Sequence, residues 1–418
     1  MNWKHALALC LSCVALAARA QDASPTIKLD GSLTTGLHCF VPLQDPSRNP
    51  EIYMFDNPLG GMNAPYQAII GGRLIAPDYG LSVHVSSGYN SIPAGGSVQD
   101  SFQLWDAYLW AGFGKFTIVA GQLDESGFRS WIDCQSYLGR DRFGSAGLAV
   151  KYGAGEFNAI LEVPAYIPNA SSNQNTRYYA VYYDATSVGL DGSAWAALNA
   201  IYAAANYTVP EAVAFQVGYQ GQGLNAGGYT NGANVWVDVR YLGVPRLICY
   251  LEWEGWNLGQ TFNDGSPVGG LAFGAFALVG WSFDRFTLQS SVSFLEGDTN
   301  AAGYYNLRVQ PSLRYPIDGT LTAVLTGRVD NILGTMLTSQ YADKPSFWIN
   351  PECQVSVHGN QIAFGLFVGN DYTGGDQAGG SWFFGNTAAS TPGFDGGSYV
   401  VSSPRFFLDC YVSFVFNF

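Results

Sequence analysis

Once its first twenty residues are set aside, this 418-residue chain has no stretch long and apolar enough to cross a bilayer as a helix. A membrane helix needs roughly 20 consecutive apolar residues, and the longest candidate, Leu271 to Phe283, is interrupted by glycine. Charge is also scarce, at 12% of residues, and it is unbalanced: 19 Lys and Arg stand against 32 Asp and Glu. That deficit of cations excludes a nucleic-acid partner and suits an exported protein with acidic loops. Histidine is rare. His38, His84 and His358 follow the leader, and no G-x-S-x-G stretch is present, so nothing at strand spacing assembles a nucleophile, base and orienter. His84 does share a row with Ser82 and Ser86.

Cysteine offers no framework either. Of seven, Cys10 and Cys13 belong to the leader; Cys39, Cys134, Cys249, Cys353 and Cys410 are scattered and give neither disulfide pairing nor zinc spacing. Alternation puts Cys249, Cys353 and Cys410 in apolar rows, whereas Cys39 and Cys134 fall in or beside loops. No metal site is expected.

What the chain has in quantity is aromatics, 15% of residues, and glycine, 51 residues. Met1 to Ala20 reads as a signal peptide: Lys4 and His5 at the start, an apolar stretch from Ala6 to Ala17, and Ala18-Arg19-Ala20 as the cleavage site. Loss of Lys4 and Arg19 leaves 17 basic residues against 32 acidic ones, a formal charge of −15. An exported, aromatic-rich chain without a helical span fits a closed β-barrel, the other structure that satisfies its backbone in lipid.

The final segment carries this pattern most clearly. From Arg405, one row is Phe406, Leu408, Cys410, Val412, Phe414, Phe416 and Phe418; the other is Arg405, Phe407, Asp409, Tyr411, Ser413, Val415 and Asn417. Successive strand side chains point to opposite faces, so this strand is greasy on one side and wet on the other. Tyr305 to Tyr315, Arg285 to Phe294 and Asn234 to Tyr241 alternate in the same way, as lipid on one face and water on the other require.

Connectors alternate in length. Short ones sit at Pro77-Asp78, Gly112 to Lys115, Gly153 to Gly155, Thr208 to Pro210, Leu242 to Pro245, Phe283-Asp284, Pro316 to Gly319 and His358 to Asn360. Long ones rich in Gly, Asn, Ser, Asp and Pro separate the remaining pairs, ending with Tyr372 to Pro404. Parity breaks only over Pro164 to Tyr207. It is restored if Tyr178 to Val188 is a hairpin within an outer loop and Trp195 to Tyr207 is a wall strand. The expectation is therefore all-β: a single transmembrane antiparallel barrel over residues 21–418 with 18 strands, sixteen being the alternative count.

Leu109-Trp110-Ala111-Gly112-Phe113-Gly114-Lys115-Phe116, continuing to Ala120-Gly121-Gln122, resembles the strand–turn–strand of the Gram-negative general porins. Ile27-Lys28-Leu29-Asp30-Gly31 is similar to their first strand, and Phe418 to their terminal aromatic. The "PEFG" turn of the third outer loop is missing, and spirochaete-type, sugar-selective and anion-selective porins fit nearly as well. The resemblance implies an outer-membrane channel, not an enzyme, for passive diffusion of small hydrophilic solutes and ions. A substrate-selective porin and an adhesin carried by the last outer loop, Tyr372 to Pro404, are the alternatives. Outer-membrane lipid with lipopolysaccharide or its equivalent, and the barrel-assembly machinery, are the implied partners. A homotrimer is the assembly to test, and no cofactor is expected. Phe414, Phe416 and Phe418 would serve as the assembly signal.

The resemblance also implies that the third outer loop, Leu123 to Arg142, folds into the lumen as a constriction. It carries Asp124, Glu125, Asp133 and Asp141 with Arg129, Arg140 and Arg142. Opposed charges there would set up a transverse field; the plainer alternative is a solvated surface loop. Independently of the family, Arg240, Arg246, Arg285, Arg308, Arg314 and Arg328 recur on inward rows, because arginine facing lipid costs about 2–4 kcal/mol at the midplane. They either attract anions or are neutralised by inward Asp238, Glu252, Glu254, Glu352 and Asp409. Inward Trp105, Trp236, Tyr250 and Trp348 read either as a stacking slide for sugar rings or as interfacial girdles. Asp371 to Gly380 reads as a calcium loop or as a flexible glycine loop.

Overall fold

The computed structural model describes residues 25–43, 51–55, 66–89, 100–122, 128, 146–166, 201–221, 233–259, 270–299, 302–330, 332, 346–371 and 405–418. The signal peptide, most of the loop 123–142, the hairpin 178–188 and the last outer loop 372–404 lie outside the described residues. Nineteen strands follow one another. They begin β1 (Thr26–Pro42), β2 (Glu51–Phe55), β3 (Tyr66–Ile75), β4 (Tyr79–Tyr89), β5 (Asp100–Phe113) and β6 (Phe116–Gln122). Next come β7 (Ala146–Ala154), β8 (Phe157–Tyr166), β9 (Tyr202–Val209), β10 (Val213–Gly221), β11 (Ala233–Tyr241), β12 (Leu247–Leu258) and β13 (Gly270–Ser282). The last six are β14 (Thr287–Thr299), β15 (Ala302–Pro316), β16 (Leu321–Asp330), β17 (Ser346–Val357), β18 (Asn360–Asp371) and β19 (Arg405–Asn417).

Each pairs antiparallel with the next along the chain, except that β3 pairs with β1 and not with β2, and β1 pairs with β19, closing the sheet. β2 is not an extra stave. The first half of β1 pairs with β3 and its second half with β2, so the two short segments share one position in the wall. The result is a closed barrel of 18 staves. At the disputed parity break β9 pairs with both β8 and β10, so one strand fills that stretch of wall.

The eight short connectors form hairpins at one end of the barrel, and both outermost strands begin or finish there. Their chemistry is local. In the β17–β18 turn, His358 and Gly359 both take positive φ, 51° and 82°, the combination of a two-residue I′ hairpin whose twist matches its strands.

The alternation expected from sequence governs both surfaces. On β4, Leu81, Val83 and Val85 are exposed on the outside, while Ser82 and His84 are buried within. On β12, Leu251 and Trp253 face out and Glu252 and Glu254 face in. Aromatics collect on the outer face beside the short turns: Phe113, Phe116, Phe157, Tyr207, Tyr241, Phe283 and Tyr315 are all exposed. A girdle of aromatic rings beside an aliphatic belt matches a lipid interface. Phe418 continues it: its backbone N–H and carbonyl exchange hydrogen bonds with Gly31, at 3.1 and 3.0 Å.

Candidate functional site: the lumen wall

Inward rows bring together residues far apart in sequence. Across β1, β3, β4 and β5 lies a polar network centred on His84. Its Nε2 is 2.9 Å from Asp30 Oδ1, and its Nδ1 is 2.9 Å from Asp106 Oδ1. Arg73 holds the other oxygen of Asp30 at 2.7 Å. Ser82 Oγ donates to Asp106 at 2.9 Å and lies 3.2 Å from His84 Nδ1. Sequence spacing alone joined His84 only to its own strand; Asp30 and Asp106 reach it from β1 and β5. Serine, histidine and aspartate therefore do meet. Chemically the group is still a poor hydrolase, since both ring nitrogens face carboxylates and neither is free to take the serine proton.

Further round, apolar side chains gather on the lumen wall beside buried Glu162, Glu252 and Glu254. Val119, Ala149, Ile160, Tyr202, Ala204, Trp236 and Phe276 form a buried cluster, with Tyr108, Trp110, Tyr250 and Leu278 packed against it. Phe128 belongs to this cluster although it comes from the third outer connection, and the Tyr202 hydroxyl donates to its carbonyl at 2.8 Å. Tyr202 and Trp236 are wholly buried, their rings 5.5 Å apart. Trp236 lies flat over Gly218, where a Cβ would stand 1.8 Å from the indole.

A third patch covers β16 to β19. Trp348 meets Phe367 edge-on at 5.3 Å, and Phe367 stacks on Tyr411 at 5.1 Å. The Arg328 guanidinium sits 6.0 Å over the Trp348 ring, a cation–π arrangement. The Tyr411 hydroxyl donates to Glu352, and the Asn350 side-chain amide lies 3.0 Å from that hydroxyl.

The sequence-derived arginines divide into three groups. Arg308 and Arg328 are buried on inward rows of β15 and β16. Arg240 and Arg314 are exposed near the short-turn ends of β11 and β15, and Arg240 stacks 4.9 Å from the Tyr250 ring. Arg285 and Arg246 lie in turns, not on wall rows, and Arg246 pairs with Asp284 at 2.6 Å in solvent. Rows extended through a turn lose their meaning, because a hairpin does not preserve strand alternation.

Asp238 accepts from Gln216 at 2.9 Å, and Glu352 accepts from Gln354 and Tyr411, so neutral donors hold these two inward acids. Asp124, Glu125, Arg129, Asp133, Arg140 and Arg142 lie outside the described residues. Phe414, Phe416 and Phe418 are on the outer face, with the first two rings stacked 6.2 Å apart. Trp236 and Trp348 are buried in the lumen, which rules out the girdle reading for them; the Trp105 side chain is outside the described residues. Cys39, expected in or beside a loop, lies within β1.

No protein-family model and no curated relative matches the sequence. Solved structures do share the fold. OccAB3 of Acinetobacter baumannii matches with a TM-score of 0.55 at 9% identity, over 94% of this chain and 99% of that one. The Pseudomonas aeruginosa protein OpdQ matches at 0.51 with 10% identity, over 94% of this chain and 98% of that one. The outer membrane protein OpdK, also from Pseudomonas aeruginosa, matches at 0.51 with 10% identity, over 94% of this chain and 99% of its own. At such identities the likeness defines a class by architecture: a closed β-barrel with an apolar outside.

Proposed function

We propose that this chain is a porin of a bacterial outer membrane, exported through a cleaved signal peptide over residues 1–20, that lets small hydrophilic solutes and ions diffuse passively. One observation carries the reading. The same strands present exposed apolar side chains outside and polar or charged ones inside a closed barrel, as on β4 and β12. That pairing serves a water-accessible passage through lipid and has no use in a soluble sandwich. The polar network at His84 is a wall element under this reading, not a catalytic centre. The test is single-channel recording of the refolded protein in planar bilayers. Stepwise conductance that scales with salt is expected; a barrel that inserts without steps refutes the proposal.

The loop 123–142 is the candidate constriction. Its support is Phe128, which packs among inward side chains of β6 to β13 and receives the Tyr202 hydroxyl. Excising 129–140 should raise conductance, and unchanged conductance would make the loop a surface feature. Anion preference is a second, finer reading, favoured by Arg308 and Arg314 on the inward row of β15, the second of them exposed. Replacing both with serine should lower the anion-to-cation permeability ratio. High salt should blunt the change, because the Debye length falls from about 10 Å at 0.1 M to about 3 Å at 1 M. Trimeric assembly, lipopolysaccharide contact and recognition of the Phe414, Phe416 and Phe418 row by the assembly machinery complete the reading. Deleting Phe418 should cut surface levels.

A further inference from the structure

The seam that closes the barrel holds two cysteines face to face. β1 and β19 pair without a shift from Ser32 opposite Asn417 to Pro42 opposite Phe407, and in that register Cys39 stands directly opposite Cys410. Both thiols are free. Both belong to the outer face: Cys39 continues the exposed row of Leu33 and Leu37, and Cys410 is exposed between inward Asp409 and Tyr411. Among the described cysteines this pairing is singular, because Cys249 faces Val279 and Cys353 faces Ala323 and Phe364.

The local geometry suits a bond. Gly31 and Phe418 exchange both backbone hydrogen bonds, and further along Leu43 N–H donates to the Phe406 carbonyl in the same register. Alternate pairs between them, Cys39 with Cys410 included, are therefore hydrogen-bonded pairs, with Cα atoms about 5.5 Å apart. Bridged cysteines have Cα separations centred at about 5.5–6 Å. Facing Cβ atoms in a sheet are about 4.5–5.5 Å apart, at the wide end in a hydrogen-bonded pair, whereas a disulfide wants about 3.5–4.5 Å. Closure thus draws the two strands together slightly and leaves a bond more reducible than a relaxed one.

Position matters as well. Cys39 is near the long-loop end of β1, which starts at Thr26 on the short-turn side. At about 3.4 Å per residue and about 40° of tilt, it stands roughly 34 Å above that start, beyond an apolar band of about 25 Å. Water-soluble oxidants reach that level.

We propose that Cys39 and Cys410 form a reversible cross-strand disulfide that staples the closing seam. The co-reactant is a disulfide oxidant. The Cys410 thiolate attacks one of its sulfurs, forming a mixed disulfide and expelling one thiolate. The Cys39 thiolate then attacks Cys410 Sγ and expels the second. Overall, one protein dithiol and one oxidant disulfide become one protein disulfide and two small thiols, with two electrons passed to the oxidant. The product ties the first stave to the last, so parting the seam no longer opens the barrel.

The experiment uses the refolded full-length protein, treated with oxidised glutathione or with dithiothreitol, alkylated, digested without reduction and mapped by mass spectrometry. Expected is a cross-linked peptide pair containing Cys39 and Cys410, two hydrogen masses lighter than the sum of its free peptides. Oxidised protein should also unfold in hot SDS about tenfold or more slowly than reduced protein. That difference should vanish in Cys410→Ser and persist in Cys249→Ser. Should Cys410→Ser fail to refold, the map of the oxidised parent decides alone. Recovery of Cys39 and Cys410 only as alkylated thiols or glutathione adducts overturns the proposal, as does a link from either to Cys134 or to a second copy.

Discussion

Two stretches of the same lumen wall are held together differently. Around β1 to β5 the inward side chains are Asp30, Arg73, Ser82, His84 and Asp106, joined by hydrogen bonds and an ion pair. From β6 to β13 Val119, Ile160, Tyr202, Trp236 and Phe276 are joined by contact, with buried Glu162, Glu252 and Glu254 paired across from the last three. Alternation puts both sets inside, and so says nothing of how each is held. The polar set completes itself within the wall, because its donors and acceptors come from adjacent strands. Large rings on neighbouring strands make few such bonds and are joined by packing, as Tyr202 is with Trp236. Phe128, brought in by an outer connection, sits in that cluster.

The comparison breaks most readily at Trp236. Trp236→Ala removes the largest wholly buried side chain of the apolar wall and opens a cavity beneath Phe128 and Tyr202. Losses of this kind cost about 3–5 kcal/mol. Thermal unfolding in detergent should register it, and conductance should rise if the cluster anchors the third loop.

His84→Ala tests the polar wall in the same assay. Asp106 loses the ring that bridged it to Asp30, while Asp30 keeps Arg73. Hydrogen bonds to charged groups contribute about 1.5–3 kcal/mol each, so a loss of about 2–3 kcal/mol is expected. Adding Asp106→Asn should recover part of it by removing the carboxylate left without the ring. If no recovery follows, the network is held by packing and the contrast between the walls is false.

How far the sequence discloses these walls depends on the distance over which each feature is decided. Row membership is decided by the next residue but one, and Leu81, Ser82, Val83 and His84 divided as alternation requires. The short turns were equally legible, being set by two or three residues such as His358-Gly359. Features fixed across strands were not. The partners of His84 lie 54 and 22 residues away. Strand β5 adds a register shift opposite His84 and Val85, which no alternation count anticipates. The facing of Cys39 and Cys410 exists only once the first and last staves have met. The strand count survived because the irregular β2 shares a stave with β3 instead of adding one.

A finer probe of the apolar wall is Gly218. The indole of Trp236 occupies the place of a side chain there, so Gly218→Ala overpacks the site at a cost of about 1–3 kcal/mol. Combined with Trp236→Ala it should cost almost nothing further, since the clash has gone. Additive losses would show that Gly218 matters for its backbone and not for the ring.

The smallest effect lies outside both walls and calibrates them. Asp318, in the exposed turn between β15 and β16, accepts the backbone N–H groups of Thr320 and Leu321, each at 2.7 Å. Those two bonds, Thr320's first, hold its carboxyl below the ordinary carboxylate range. A pKa lowered in the folded state adds stability above the unfolded value, about 3.9, and loses it as pH falls through the folded value. Asp318→Ala should therefore lower the melting temperature slightly at pH 7, by an amount that shrinks as pH falls below the ordinary carboxylate range. His84→Ala gives the contrast at pH 7, since its partners are enclosed by the wall and not by water. A turn variant that destabilises as much as His84→Ala would mean that hairpin ends, not the lumen networks, hold the staves in register.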